Sequence, residues 1–135
     1  MNATFTIHTD GPGLTEFTRE VAAWLPPRDG LLTLFVRHTS ASLLVQENHD
    51  PEVRADLQTY LAGLVPEGDH PSMRWLTHTY EGPDDMPAHI RAALLPVSLS
   101  IPVEAGRMAL GTWQGLYLWE HRRSPHARTI AAHFG

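Results

Sequence analysis

The sequence predicts a single α+β domain, and three observations support this fold class. Strand-like apolar patterns recur from the beginning of the chain to its end. Helix-like patterns occur only before residue 96, and the turns after it are too short for helical crossovers, which favours an antiparallel meander there. The 135 residues contain no repeat, low-complexity segment or linker, so residues 1–135 are expected to form one domain.

Three strands and one helix are predicted before residue 47. "ATFTIHT" (residues 3–9) alternates as a half-buried strand does. Apolar residues then recur at steps of three or four from Leu14 to Trp24, which predicts a helix that "PPRDG" ends. "LLTLFV" (31–36) is typical of a central strand, and "SASLLVQ" (40–46) continues or reverses it.

The middle of the chain is expected to hold two helices. Asp50 followed by Pro51 is a good helix start, and an apolar stripe continues until Pro66. "EGDHPS" (67–72) is a loop, and "MRWLTHT" (73–79) is predicted to be a short strand. Asp85 is placed to cap a second, shorter helix that runs through Leu95, with Pro87 near its first turn.

Strands return in the last third. "VSLSIPV" (97–103) alternates cleanly, and Pro102 indicates a sheet edge or the end of the strand. "MALGTWQGLYLWEHR" (108–122) predicts one long or broken strand, and "ARTIAAHF" (127–134) predicts the last one.

Composition and charge exclude several function classes. The formal net charge of −5 argues against a nucleic-acid partner, which a basic surface would attract. No apolar run approaches the ~20 residues of a membrane span and no signal peptide is visible, so a cytoplasmic protein without a membrane partner is expected. The absence of cysteine excludes disulfides, thiolate metal sites and a cysteine nucleophile. Nucleotide-binding glycine motifs are also absent, and no organic cofactor is expected.

The segment "THTYEGPDDMPAHI" (77–90) is the strongest candidate for chemistry, although it also suits a solvated loop. It contains two histidines, and His38 ends an apolar strand, where rigid elements often present functional groups. The nine histidines show no HExxH motif, no i, i+4 pair and no standard zinc spacing, so spacing alone favours surface or packed histidines over a metal site. The segment's candidate residues are His78, Glu81, Asp84, Asp85 and His89.

Two further stretches carry candidates. In "QENHDP", Asp50 is most simply a helix cap, whereas Glu47 has no such structural explanation. In "LGTWQG", Gly111 and Gly115 suggest a bulge or a close ligand, with Trp113 and Gln114 as a stacking face and a hydrogen-bonding amide. A kinked strand with Trp113 in the core is an equally good interpretation.

Three longer segments follow one another over nearly the whole chain: "GLLTLFVRHTSASLLVQENHDPEVRADL", "EGPDDMPAHIRAALL" and "SLSIPVEAGRMALGTWQGLYLWEHR". Together they resemble the YjbQ-like family of small proteins, whose most specific described activity is secondary thiamine-phosphate synthesis. The resemblance implies a mixed, largely antiparallel sheet curved into a half-barrel, with helices packed on one side, and a homotrimer. The family's hallmark positions correspond here to His38, His78, Asp84, Asp85 and His89.

The resemblance also implies a reaction, the joining of a pyrimidine diphosphate to a thiazole phosphate with release of pyrophosphate. Such a reaction needs cations for a phosphorylated metabolite, an ion on the leaving group and a slot for a ring. The alternatives are a metal-dependent hydrolase or lyase on another small metabolite, and a non-catalytic trimeric ligand-binding protein. The expected catalytic residues are Asp84, Asp85, Glu47 and Glu81, and the expected substrate-binding residues are Arg37, Arg107, Trp113 and Gln114. Arg91 and Arg122 are further candidates for the anion-binding cations.

The expected metal site is a triad of His38, His78 and His89 holding zinc, magnesium or manganese, with a fourth position open. Asp85 or Glu81 would then orient the ligands or act as the base. The competing hypothesis has the same histidines, partly protonated, holding a phosphate. The acidic loop, residues 77–90, favours the cation, because its carboxylates attract positive charge and repel an anion.

Overall fold

The computed structural model describes residues 1–135 as eight strands, three α-helices and one 3₁₀ turn. In chain order these are β1 (Asn2–Thr9), β2 (Gly13–Glu16), α1 (Thr18–Trp24), β3 (Gly30–Val36), β4 (Ala41–Glu47), α2 (Pro51–Leu64), the 3₁₀ turn (Pro71–Met73), α3 (Asp85–Leu94), β5 (Ser98–Glu104), β6 (Arg107–Met108), β7 (Gln114–Glu120) and β8 (His126–Phe134).

The strands form a five-stranded sheet in the order β1-β8-β3-β5-β6 and a three-stranded sheet in the order β2-β7-β4. Every pair is antiparallel. Together the sheets make the antiparallel half-barrel, and the predicted α+β fold class is confirmed.

The apolar core lies between the two sheets. Alternate residues of β3 and β7, among them Leu32, Leu34, Leu116 and Leu118, are fully buried there. Helix α2 covers the opposite face of β7, where the Trp119 Nε1–H donates to Gln58 Oε1 at 2.7 Å. Strand β7 is therefore buried on both faces, which explains its continuous apolar run.

Two of the predicted elements are wrong. The segment from Leu14 begins as strand β2 rather than as a helix, because it pairs with β7, and helix α1 starts only at Thr18. The predicted strand 73–79 is absent, since these residues form a 3₁₀ turn and an irregular loop that reaches no neighbouring strand.

The N-termini of α2 and α3 are capped differently. Asp50 caps α2 as predicted, and its Oδ1 accepts from the Glu52 N–H at 2.9 Å. Asp85 is the first residue of α3 rather than its cap, and Asp84 at the cap position makes no side-chain cap hydrogen bond. Both carboxylates instead face Arg122.

The predicted meander is also wrong beyond β6, because β7 and β8 lie in different sheets. The β5–β6 hairpin is the one place where consecutive strands of the last third pair. None of the helices has the length and apolar character needed to cross a membrane.

Candidate functional site

The acidic loop and the start of α3 meet the end of β7, and there they form a cluster of charged side chains. Gly82 has φ +100°, a conformation that disfavours any side chain, and its carbonyl accepts from the Asp85 N–H at 3.3 Å. This turn starts α3 so that Asp84 and Asp85 point inward, and both residues are buried. A glycine and a helix start thus position the two carboxylates.

Arg122 lies directly after β7 and holds both aspartates. Its Nε donates to Asp84 Oδ2 at 2.9 Å, and its Nη1 donates to Asp85 Oδ1 at 2.9 Å. The hydrogen bond to Asp84 raises the pKa of Arg122. Burial pushes the pKa of Asp84 upward, but hydrogen bonds from the Arg123 backbone and the Arg122 side chain outweigh it and leave that pKa below its ordinary value. Asp84 and Arg122 therefore stay charged.

His78, Glu81 and Asp85 converge on one point. His78 Nε2 lies 2.5 Å from Glu81 Oε2 and 3.2 Å from Asp85 Oδ2. One ligand atom from each residue lies within 4.8 Å of the others. Asp85 is only 3% exposed, and apart from the 3.2 Å contact with His78 Nε2 its Oδ2 accepts no hydrogen bond. A buried carboxylate oxygen without a hydrogen bond is costly, so this atom favours a bound cation.

His89 approaches the same aspartate from α3. Its Nδ1 lies 3.0 Å from the Thr39 carbonyl oxygen, and because a carbonyl only accepts, Nδ1 carries the proton. Its Nε2 faces Asp85 Oδ1 at 3.3 Å. Nε2 of His89 is therefore placed to exchange a proton with this carboxylate or to contact a cation beside it.

His38 does not join the cluster, and the expected triad of three histidines is not formed. Its Nε2 accepts the Thr129 N–H at 2.8 Å, which fixes the ring on β8. Burial lowers the pKa of His38, and the positive charge of Arg128 lowers it further. His38 and His89 do line a shared cavity of about 340 Å³. The ligand set that the structure offers is one histidine with two carboxylates, namely His78 with Glu81 and Asp85.

A cavity of about 390 Å³ opens beside His78. Apart from His78, its lining combines backbone and side chains of the acidic loop and the preceding segment, including Asp69, Leu76 and Met86. This volume suits a small metabolite. A ligand there would meet the His78 edge of the cluster.

Trp113, Gln114 and Glu47 lie elsewhere. Thr39, which binds His89, precedes β4, whereas Glu47 is the last residue of β4 and pairs with Gln114. A seven-residue strand spans about 20 Å. One chain therefore does not bring these residues to the His78 cluster, and Trp113 lies on the surface rather than in the core.

The predicted anion-binding arginines are also dispersed. Arg37 and Arg107 are exposed, on β3's end and on β6. Arg91 is buried, and its Nη2 donates to the Val65 carbonyl at 2.6 Å, so it is a packing residue. Only Arg122 among them contacts the cluster.

Sequence reasoning missed the buried support behind Arg122. Glu120 is fully buried and accepts from Arg128 Nε at 2.8 Å, from Thr9 at 2.7 Å and from the Arg122 N–H at 3.1 Å. Next to it, His121 Nε2 lies 2.8 Å from Ser42 Oγ. The one signal for this network in the sequence was that charged residues follow directly on apolar ones at the end of this strand, in "LWEHR". This network fixes the backbone from which Arg122 reaches the aspartates.

Comparisons with known proteins give one consistent result. The family model described as "UPF0047 protein YjbQ-like" matches residues 3–135. A UPF0047 protein of Synechocystis sp. is 50% identical over 130 residues, covering 94% of this chain and 86% of that one. The UPF0047 protein YjbQ of Salmonella typhimurium is 46% identical over 117 residues, covering 87% and 81%.

Solved structures agree with these sequence matches. A conserved hypothetical protein from Thermus thermophilus has a TM-score of 0.85 at 36% identity, covering 98% of this chain and 99% of that one. A hypothetical protein from Aeropyrum pernix has a TM-score of 0.87 at 27% identity, covering 100% and 98%.

Proposed function

The chain belongs to the YjbQ-like UPF0047 family, and we propose that it is an enzyme whose His78, Glu81 and Asp85 bind a divalent metal ion and act on a small phosphorylated metabolite. The observation that carries the proposal is the buried Asp85 Oδ2, which has no hydrogen-bond partner and faces His78. A cation at this point supplies the missing partner.

The charge of the cluster favours a metal over a phosphate. Asp84, Asp85 and Glu81 contribute three carboxylates, against the single guanidinium of Arg122. A ligand set of one imidazole and two carboxylates suits zinc or manganese better than a metal that prefers thiolate ligands. When bound, such an ion neutralises the charge of a phosphate or diphosphate group. The residues that line the cavity beside His78 would then orient the substrate.

The reaction to test first is the one that the family resemblance implies, thiamine-phosphate synthesis. There the bond between carbon and diphosphate breaks, pyrophosphate leaves with the electron pair, and the thiazole nitrogen forms the new bond to that carbon. A cation held by His78, Glu81 and Asp85 would stabilise the negative charge of the departing pyrophosphate. The role assigned to Trp113 and Gln114 as a ring slot in this reaction requires a second copy of the chain, because both lie at the other end of β4.

His89 supports a second candidate, a hydrolase or lyase acting on another phosphorylated metabolite. Its Nε2 lies 3.3 Å from Asp85 Oδ1, and its orientation is fixed by the Thr39 carbonyl. A fixed imidazole next to a metal site is a suitable general base for water or for a substrate proton. The two candidates share the cluster and differ in their products.

Metal titration with an activity assay tests the proposal. Untagged protein is titrated with zinc, manganese and magnesium by calorimetry, and thiamine-phosphate formation and phosphate release are then measured. We expect one ion per chain in the wild type, and at least about a hundredfold weaker binding with loss of turnover in Asp85→Asn and Glu81→Gln. Asp56→Asn, an exposed acidic residue on α2, is the matched control. Equal metal affinity in all variants would remove the cluster from the proposal.

A further inference from the structure

We propose that a second site, bounded by Trp113, His49 and Glu16, binds a small organic cation that carries an amine or amidine group. The site is a cavity of about 550 Å³, larger than the one beside His78, and it shares no residue with that one. The two sites lie at opposite ends of β4, and cation binding here is argued from this cavity alone, whether or not Trp113 also serves as the ring slot of the proposed reaction in a second copy of the chain.

Trp113 is exposed but held on a rigid turn. The Gln114 N–H donates to the Gly111 carbonyl at 3.1 Å, and Gln114 Oε1 accepts from the Gly111 N–H at 2.7 Å. The Asn48 N–H donates to the Trp113 carbonyl at 2.8 Å, which ties the turn to the end of β4. The side chain nevertheless remains 54% exposed. A large aromatic ring fixed at the rim of a cavity is typical of a ligand-binding surface.

His49 completes an aromatic corner. Its ring centroid lies 4.5 Å from that of Trp113, with the two planes tilted by 49°. The rings therefore form two adjacent walls of the cavity rather than a closed stack. A small ligand can contact the open face of Trp113 without displacing His49.

Glu16 supplies an oriented carboxylate. Its Oε2 accepts from Thr18 Oγ1 at 2.7 Å and from Asn48 Nδ2 at 3.2 Å. A Cβ at Gly115 would lie 2.4 Å from the same oxygen, so a larger residue there would displace the carboxylate from this position. Its Oε1 accepts no hydrogen bond from the protein and is free for a ligand. Such preorganisation lowers the entropy that binding costs.

The chemistry of the lining selects a cation with N–H donors. Glu16 and Glu20 contribute two carboxylates, against one guanidinium from Arg19. The face of a tryptophan ring attracts positive charge, and the free Glu16 oxygen accepts a hydrogen bond. An ammonium or amidinium group satisfies both, whereas an anion or an apolar molecule satisfies neither.

Paired probes test this site. Benzamidine, a planar amidinium, and its neutral isostere benzamide are titrated against the intact protein by calorimetry and ligand-observed NMR. We expect benzamidine to bind with a Kd on the order of 1 mM or lower and benzamide at least about tenfold more weakly. Trp113→Ala and Glu16→Gln should each weaken benzamidine binding at least about tenfold.

Two controls make the outcome decisive. Tyr60→Ala removes another exposed aromatic ring, and His78→Ala alters the other site, so both should bind benzamidine like the wild type. Thermal unfolding of each variant checks that the chain is folded, and Trp113→Phe tests the ring in a more conservative way. The proposal would be overturned if both probes bound equally or if benzamidine did not bind. It would also be overturned if Trp113→Ala changed the oligomeric mass of the protein but not its affinity for benzamidine.

Discussion

His121 shows what burial does to a single titratable side chain in this protein. It is 1% exposed, and desolvation first, then the positive charge of Arg91, lowers its pKa from 6.5 to about 3. The imidazole is therefore neutral in the folded chain at all ordinary pH values. In the unfolded chain it takes up a proton near its usual pKa.

The first prediction follows from this difference. Below pH 6.5 the unfolded state binds a proton that the folded state refuses, so the free energy of unfolding falls as pH falls, by up to about 1.4 kcal/mol per pH unit. We expect urea unfolding at pH 7, 6 and 5 to show this slope in the wild type and a shallower one in His121→Asn. Glu120 and Asp84, whose pKa values are lowered from the ordinary 4.5 and 3.8, add to this slope mainly below pH 5, where the unfolded-state carboxylates take up protons.

Two variants serve as references for the His121 slope. His8→Asn changes an exposed histidine and should keep the wild-type slope. His38→Asn should lose part of the slope, because burial also lowers the pKa of His38. A full wild-type slope in His121→Asn would show that His121 is not the group responsible.

At the scale of elements, the cap of α2 is a local device that works as the sequence suggests. Asp50 Oδ1 accepts from the Glu52 N–H, and Pro51 follows at the first helical position. We expect Asp50→Ala to lower the free energy of unfolding by about 1 kcal/mol, measured by urea denaturation. Asp56→Ala, within the same helix, should be neutral or slightly stabilising, since alanine favours helices. Equal losses in both variants would contradict the capping role.

The β5–β6 hairpin has a turn that the sequence fits imperfectly. Ala105 has φ 49° and Gly106 has φ 82°, and Glu104 pairs directly with Arg107, so the two turn residues are both left-handed. Asparagine tolerates this conformation better than alanine. We therefore expect Ala105→Asn to raise the free energy of unfolding by up to about 1 kcal/mol. The same change at Ala127, an exposed strand position, should give no gain in thermal unfolding.

At the scale of the whole molecule, the outer face of the five-stranded sheet remains uncovered. Phe35 is 50% exposed there and lies opposite Ala131 and Ser98, and Leu31 on the same face is 46% exposed. Small neighbours beside exposed large apolar side chains favour a protein interface. We propose that the chain forms the homotrimer that the family resemblance implies, through this face.

The corresponding prediction concerns mass in solution. Light scattering of the wild type at micromolar concentration should give three times the 15.1 kDa chain mass. Phe35→Arg should shift the mass towards that of one chain, because a charge would be buried in the interface. Tyr60→Arg, at an exposed residue of α2, should leave the assembly unchanged. A single-chain mass for the wild type would refute the trimer.

Local signals in the sequence were sufficient for most elements. Alternation and β-branched runs predicted β1, β3, β4, β5 and β8, and the Asp50–Pro51 pair predicted the start of α2. These features depend on near neighbours along the chain, and near neighbours decide capping and strand alternation. The motifs of the acidic loop likewise indicated that His78, Glu81 and Asp85 belong to one site, which the structure brings together.

Only the tertiary structure decided which strands share a sheet and which side chains meet. Leu14 lies in strand β2 because its backbone pairs with β7. The helix-like spacing of the apolar residues from Leu14 to Trp24 carries no information about that neighbour. His38 is instead held against β8, because the N–H of Thr129, 91 residues away, donates to its ring. Glu120 and Arg128 form the buried pair that fixes Arg122, through contacts across the core. The sequence determined most of the elements and all of the chemical groups, whereas long-range pairing and burial determined the remaining elements and which groups face each other.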